Sequence, residues 1–257
     1  MTTISANTLF HFTNSANNII QIIKEGFSPR FCLEEFGPEY IMANAEKKEY
    51  AVPMSCFCDL PLSKIEEHLN FYGSYGIGLS KEWGQNNGLT PLNYVHEKSI
   101  QLKYTRHLGK LIMDYVKTDY EIKAHGADPI LHFFELTSFY KSYEGKMWRI
   151  DKYLDKRFYD EREWRYVPFL NSDIKDYRLS KEEFLNEIKR AAANDAIAKS
   201  SKLSFKYSDI KYLIVNKESE MISLSDALDS MIGIFQPTEI KVLKTKIISS
   251  EQIKEDF

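Results

Sequence analysis

The stretch TLFHFTNSANNIIQIIKEG (Thr8–Gly26) contains a strand pattern followed directly by a helix pattern. Its first six residues, Thr8–Thr13, are rich in the aromatic and β-branched side chains that favour strands. An isoleucine stripe at helical spacing follows, with a capping side chain at Asn14 or Ser15 before it and Gly26 as a stop after it. The stretch therefore predicts a strand that leads into an amphipathic helix.

Strand patterns and helix patterns also follow each other along the rest of the chain. Strands are predicted at 51–60 (AVPMSCFCDL), 75–79 (YGIGL), 91–95 (PLNYV), 159–168 (YDEREWRYVP), 210–216 (IKYLIVN) and 239–248 (EIKVLKTKII). Helices are predicted at 62–73, at two segments between 97 and 143 that break near 126–129, and at 180–200. Capping boxes are predicted at Ser63 with Glu66 and at Ser180 with Glu183. These patterns predict an α+β fold in which helices interrupt a mostly β frame.

No linker composition divides the chain, so we predict one domain over residues 1–257. It would hold a helical insertion at about 97–145 and a less recognisable C-terminal part at about 180–257. With 43% hydrophobic and 14% aromatic residues, the chain can bury a real core, which argues against disorder. Its net charge of −3 argues against a protein whose main work is binding phosphate backbones.

Cysteine and histidine usage points to a reducing compartment. The chain has three cysteines, and Cys56 and Cys58 lie too close together on one predicted strand to bridge each other. Strand alternation places Met54 on the same face, and we expect all three side chains to be buried. The sequence lacks metal-site spacing, a membrane-spanning apolar run and a leader pattern. We therefore expect a cytoplasmic protein with no metal and no membrane partner.

The charged stretch YDEREWRYVP (159–168) is the first candidate for a functional site. As a strand it would place Glu161, Glu163 and Arg165 on one face, with Trp164 and Tyr166 on the other. Two carboxylates on one face raise each other's pKa or require a cation, and Arg165 can be that cation. Two interpretations stay open: a ligand-handling site, or an edge strand with ion-paired, solvated charges.

Two other motifs carry candidate residues. His11 shares its predicted strand face with Leu9 and Thr13, which favours either a polar site or a structural histidine. In FYGSYGIGLS (71–80), the glycines leave backbone open to close approach by a flat ligand or another strand, and Tyr72 and Tyr75 offer stacking faces. The alternative is a helix C-cap followed by a bent strand. The glycine order is not GxGxxG and no Walker lysine follows, so dinucleotide-fold and P-loop sites are not indicated.

The order of these motifs resembles the ADP-ribosyltransferase superfamily in its His–Tyr–Glu version. That resemblance implies a mixed β core with inserted and peripheral helices, and NAD as substrate. NAD binding would then fall to His11, Thr13, Tyr75 and Tyr72. Glu163 would stabilise the oxocarbenium-like transition state as nicotinamide leaves, and Glu161 would orient the acceptor, which are the two catalytic roles. His11 and Glu163 would lie on neighbouring strands and face one cleft.

A second resemblance covers more of the chain. The stretches LFHFTNSANNIIQIIKEGFSPRFCLEEF (9–36), AVPMSCFCDLPLSKIEEHLNFYGSYGIGLSKEWG (51–84) and EREWRYVP (161–168) are similar to the AbiGi family, the antitoxin component of bacterial abortive-infection systems. This resemblance implies antiviral defence and assigns no catalytic residue.

Three functional hypotheses follow. The first is a bacterial phage-defence protein that binds NAD and transfers ADP-ribose to a macromolecule, or hydrolyses NAD. The second is a non-catalytic antitoxin that binds and neutralises a toxin of the nucleotidyltransferase type. The third is a nucleic-acid-binding regulator, which the slight acidity of the chain disfavours. An enzyme needs its site residues to converge on a cleft, whereas a binding module needs an exposed apolar patch.

Overall fold

The computed structural model describes residues 5–34, 49–118, 129–149, 152–168 and 178–256. The strands of these ranges are β1 (Thr8–Thr13), β2 (Arg30–Glu34), β3 (Tyr50–Cys58), β4 (Tyr75–Ser80), β5 (Thr90–Pro91), β6 (Asn93–Val95), β7 (Tyr140–Ser142), β8 (Gly145–Arg149), β9 (Lys152–Lys156), β10 (Glu163–Tyr166), β11 (Leu179–Ser180), β12 (Ile210–Val215) and β13 (Ile247–Ser249). The α-helices are α1 (Ala16–Glu25), α2 (Glu66–Tyr72), α3 (Lys81–Asn86), α4 (Ile100–Thr118), α5 (Pro129–Thr137), α6 (Lys181–Leu185), α7 (Glu187–Ser200), α8 (Met221–Asp229), α9 (Pro237–Lys244) and α10 (Ser250–Asp256).

The main sheet has β1 at its centre. Its strand order is β13-β12-β4-β1-β3-β10-β5, and β2 and β11 pair further along β3. The pairs of this sheet are antiparallel except for β12 and β13, which run parallel. The predicted α+β class with a mixed β core and peripheral helices is therefore confirmed at this level.

The opening stretch folds as its local pattern predicts. β1 covers Thr8–Thr13, and the Ser15 side chain caps α1 by accepting a hydrogen bond from the backbone N–H of Asn17. At the other end, Gly26 adopts a φ of 82°, a region that favours glycine. Ile19 and Ile23 are buried in the same apolar cluster as Leu9 of β1. Burial of one apolar stripe against the sheet thus holds the helix in place.

Apolar side chains cover both faces of the sheet. Alternation along β1 sends Leu9 into the larger cluster, which includes α1, α8 and α9, and sends Phe10 into a smaller one with α2 and α10. The smaller cluster includes Ile65, Leu69 and Ile253. The sheet is therefore a central layer with helices on both sides.

The glycines of β4 serve packing rather than ligand access. A Cβ built on Gly76 would lie 2.8 Å from the ring of Phe12, and one on Gly78 would lie 2.8 Å from the ring of Phe10. The phenylalanines of β1 therefore lie directly over this backbone. Of the two alternatives predicted for these glycines, the close approach of another strand is therefore observed, and neighbouring side chains fill the space that a flat ligand would need.

Several predicted boundaries are wrong. The predicted strand at 239–248 is mostly α9, since Pro237 and a box between Gln236 and Glu239 begin a helix there, and only β13 remains a strand. The predicted box at 63–66 is absent, because a 3-10 turn precedes α2 and the residue at its N-cap offers no side-chain bond.

Other differences concern the segments between these elements. The Ser180–Glu183 box is confirmed, but its helix ends at Leu185 and Asn186 caps the next one. The two helices predicted between 97 and 143 are α4 and α5, and the break predicted near 126–129 lies in part, at 126–128, outside the described residues. The strands β2, β7, β8 and β9 were not predicted. All four contribute residues to the site described below.

Candidate functional site

A cavity of about 710 Å³ lies beside β1, β3 and the turn that precedes β10. Its volume falls in the range of roughly 300–1,000 Å³ that is usual for small-molecule sites. The apolar part of its wall includes Phe10, Phe12, Met54, Phe57, Met147 and Phe158. Its polar wall includes His11, His68, Tyr72, Lys141, Glu161 and Glu163. Most of the candidate residues therefore meet at one cavity.

The two candidate carboxylates reach the cavity from different local structures. Glu161 ends a 3-10 turn that begins at Phe158, and Glu163 begins β10. Between them Arg162 adopts a left-handed conformation with φ 44°. The prediction that both acids lie on one strand is corrected, because the chain turns before the strand starts. The side chains of Glu161, Glu163 and Arg165 are nevertheless all buried, with exposed fractions of 3%, 5% and 1%.

A buried ion-pair network surrounds Glu163. One carboxylate oxygen lies 2.6 Å from Lys141 Nζ, and the other lies 2.9 Å from Arg165 Nη2. Arg165 Nη2 also lies 2.8 Å from Glu34 Oε1, and Nη1 donates to the Ser138 carbonyl oxygen at 2.6 Å. The interpretation as an edge strand with solvated charges is therefore wrong.

Glu161 joins the same network from the other side of Lys141. Its carboxylate lies 2.9 Å from Lys141 Nζ and 2.8 Å from Lys156 Nζ, and it accepts a hydrogen bond from the Tyr72 hydroxyl. The network as a whole contains three carboxylates and three cations, counting Glu34, Glu161, Glu163, Lys141, Lys156 and Arg165. Its formal charge is therefore zero, and each charge has a partner as burial demands.

The cations keep the buried acids ionised. Burial alone would raise the pKa of Glu163, but Arg165 and Lys141 outweigh it and lower that pKa to about 2. The pKa of Glu161 is likewise lowered, since Lys141 and Lys156 overcome the effect of burial. Burial disfavours the charged form of Lys141, yet the adjacent Glu163 carboxylate raises its pKa. Both acids are thus anionic at neutral pH.

Two histidines on the cavity wall are held in the uncharged form. His11 Nδ1 lies 2.8 Å from the Cys56 carbonyl oxygen, so a neutral ring donates through Nδ1 and carries an acceptor at Nε2. Burial lowers the pKa of His11. His68 of α2 is only 7% exposed, and burial lowers its pKa to about 4 despite the nearby Glu161. The cavity therefore offers two neutral imidazoles at pH 7.

The structure separates the predicted NAD-binding residues into two groups. His11 and Tyr72 line the cavity together with Glu161 and Glu163. Thr13 and Tyr75 pair with each other at the far end of β1 and β4 and do not line it. The Thr13 hydroxyl accepts from Asn18 Nδ2 at 2.7 Å, and the Tyr75 hydroxyl donates to Glu220 at 3.1 Å. Tyr72, the last residue of α2, therefore lines the cavity, whereas Tyr75 lies in β4 and pairs with Thr13 away from it.

His11 and Glu163 face one cavity, but not from neighbouring strands. Both β1 and β10 pair with β3, so one strand lies between them and that part of the prediction is wrong. The sequence patterns do not single out Glu34, Lys141, Lys156 or His68 as site residues. Lys141 lies in β7, within a segment predicted as helix, and Lys156 lies in the unpredicted strand β9. His68 lies in a helix whose pattern resembles an ordinary core stripe.

Met54, Cys56 and Cys58 share one strand face as predicted, and all three line the cavity. Met54 and Cys58 are buried, whereas Cys56 is half-buried, so the expectation of full burial is corrected at that residue. Burial raises the pKa of the Cys56 and Cys58 thiols, and the nearby Glu163 carboxylate adds to that effect. Within the ranges that the structure describes, no group of His, Cys, Asp or Glu could hold a metal ion, and no helix could cross a membrane.

Two comparisons with known proteins agree with each other. The sequence profile of the family described as "Putative abortive phage resistance protein AbiGi, antitoxin" matches residues 25–216. A protein of Lactococcus lactis subsp. cremoris, named "Abortive phage resistance protein AbiGi", is 32% identical over 256 residues, which covers 90% of this chain and 99% of the relative. No solved structure matches the chain, so the resemblance to ADP-ribosyltransferases receives no support from a structural neighbour.

Proposed function

The chain belongs to the AbiGi family of abortive phage resistance proteins, and from this membership we propose that it is an antitoxin which binds and neutralises a partner toxin. The observation that carries this proposal is the family's description as an antitoxin, matched over residues 25–216. The toxin would be a bacterial enzyme of the nucleotidyltransferase type. In this function the chain acts by binding and catalyses no reaction.

The charge network supports a binding protein rather than an acid–base catalyst. A general acid or base works best when its pKa lies near the operating pH. The pKa of Glu163 is about 2, and both Glu161 and Glu163 are already paired with lysine or arginine. Acids that stay ionised and paired with cations can instead hold β10 against the segments that supply those cations. The network therefore fits a structural role.

Co-expression tests the antitoxin proposal. A candidate toxin of the nucleotidyltransferase type is induced in a bacterial host, with or without the chain, and growth and co-purification are measured. We expect induction of the toxin alone to arrest growth, and the chain to restore growth and to purify with the toxin as a complex. Persistent arrest in cells that contain soluble, folded chain would contradict the proposal.

A second candidate function is NAD binding in the cavity. The observation that favours it is the convergence of His11, Tyr72, Glu161 and Glu163 on one cavity of about 710 Å³. In this candidate the carboxylate of Glu163 would stabilise the positive charge that develops on the ribose as nicotinamide leaves. Arg165 and Lys141 oppose that effect because they already neutralise the carboxylate. ADP-ribose would pass to a macromolecule or to water.

Substitution of Glu163 by Gln tests this second candidate. The change keeps the shape and removes the charge, so nicotinamide release from labelled NAD should fall roughly 100-fold. Glu161→Gln should affect release less and transfer more, because that acid would orient the acceptor. Glu25→Gln, at an exposed ion pair, is the matched control and should keep wild-type turnover. All variants are compared at matched melting temperatures, and an absence of NAD binding by the wild type would eliminate the candidate while leaving the antitoxin proposal intact.

A further inference from the structure

Helix α4 carries an apolar stripe on its outward face. The side chains of Ile100, Tyr104, Leu108 and Leu111 are 68%, 63%, 48% and 52% exposed. Their spacing of four, four and three residues places them on one side of a helix with 3.6 residues per turn. At about 1.5 Å per residue, the stripe extends over roughly 16 Å. These four residues are called the outer stripe below.

The outer stripe is not needed to anchor the helix. The opposite face of α4 already buries Leu102 in a cluster with Val95, Phe133 and Tyr140. Thr105 on that face is also buried, and its hydroxyl lies 3.2 Å from the Tyr140 hydroxyl. A surface helix usually pairs one apolar face with a polar one. A helix with a second apolar face therefore indicates an interaction surface.

A basic edge borders the outer stripe. Lys103, His107 and Lys110 are exposed and lie three to four residues apart along one side of it. Among the described residues, neither lysine forms a salt bridge. The sequence of α4 contains four Lys or Arg residues and one Asp, so the net charge of the helix is +3 (4 − 1). The net charge of the whole chain is −3. The edge is thus locally basic on an acidic protein.

We propose that the outer stripe docks an amphipathic helix of the toxin whose apolar face is bordered by acidic side chains. This inference rests on the antitoxin function proposed above and names the surface and the chemistry of its partner. An apolar helix face recognises residues at i, i+3 or i+4, and i+7 or i+8 of its partner, and opposite charges at the edge fix the register. A second copy of the chain would present the same basic edge, so charge complementarity favours a different protein.

The test removes the stripe without touching the core. A triple variant, Tyr104→Ser with Leu108→Ser and Leu111→Ser, should weaken binding of the toxin by at least about 100-fold, because a few exposed apolar anchors carry most of the affinity of such an interface. A matched triple variant at exposed isoleucines elsewhere, Ile222→Ser with Ile232→Ser and Ile234→Ser, should bind as the wild type does. Affinity is measured by titration of purified toxin, with circular dichroism to verify folding.

A charge variant provides an independent measurement that leaves the apolar stripe in place. Lys103→Glu with Lys110→Glu should slow association with the toxin and reduce its dependence on salt concentration. If the wild type neutralises the toxin, and both the stripe variant and the charge variant bind the toxin as the wild type does, the inference is wrong. The antitoxin proposal is unaffected by that outcome. A wild type that does not bind the toxin would overturn the antitoxin proposal itself. Loss of self-association in the stripe variant, with toxin binding intact, would assign the surface to a second copy and overturn the inference.

Discussion

Arg165→Ala is expected to lower the free energy of unfolding by about 3–5 kcal/mol, the usual effect of removing one partner from a buried ion pair. Arg165 is 1% exposed and is bound to Glu163, Glu34 and the Ser138 carbonyl oxygen. Without it, Lys141 is the one cation that the described residues leave paired with the Glu163 carboxylate, and Lys141 is shared with Glu161. Urea unfolding at pH 7, followed by tryptophan fluorescence, gives the change.

The matched control lies in the same segment of the chain. Arg157 forms an ion pair with Asp160, but both side chains are about half exposed, so water screens the interaction. Arg157→Ala should therefore keep the unfolding midpoint of the wild type. If Arg165→Ala unfolded at the same urea concentration as Arg157→Ala, the network would not hold β10 in place. A stabilising role for Arg165 would then have to be abandoned.

Acidification is expected to destabilise the protein between about pH 6.5 and pH 4, with His68 contributing up to roughly 3 kcal/mol of the loss. Burial lowers the pKa of His68 from 6.5 to about 4. In this interval the unfolded chain binds a proton at His68 and the folded protein does not, so the unfolded state gains stability as the pH falls. Above pH 6.5 both states are neutral at this residue, and its contribution becomes constant.

His68→Phe should remove this part of the pH dependence. The ring keeps its contacts with Phe12 and Tyr72 but no longer binds a proton. Free energies of unfolding measured from pH 7 to pH 4 should therefore fall less steeply for the variant than for the wild type. His107→Phe, on the exposed side of α4, is the control and should keep the wild-type slope. Equal slopes for the wild type and His68→Phe would contradict a neutral buried imidazole.

At lower pH the carboxylates dominate the loss of stability. The folded pKa of Glu163 is about 2, below the value near 4.3 of an unfolded glutamate. Its ion pairs therefore contribute fully above about pH 4.3, and the contribution is lost as the pH falls through about 2. Histidine and glutamate effects thus act in successive pH ranges, which lets the two measurements be separated.

Local patterns alone determined a large part of the fold. Thr8–Thr13 forms β1, and Ser15 and Gly26 bound α1 as predicted, because strand preference, capping and positive φ depend on residues close together in sequence. Similarity of whole stretches likewise indicates the AbiGi family, since such similarity depends only on the order of the residues. The strand, the helix caps and the family could therefore be predicted, because each depends only on residues close together in sequence or on their order.

Tertiary structure alone decided how the site is assembled. Lys141 and Lys156 meet Glu161 and Glu163 only because two short, unpredicted strands approach β10 and the turn before it. The position of α2 brings Tyr72 to the cavity, while Tyr75 of β4 bonds to Glu220. The sequence showed that carboxylates and an arginine lie close together, but not that they are buried. A buried charge without a partner costs free energy, so each acid is paired with a cation. Which cation pairs with it depends on which distant segments exclude water around the acid. That choice depends on the whole fold.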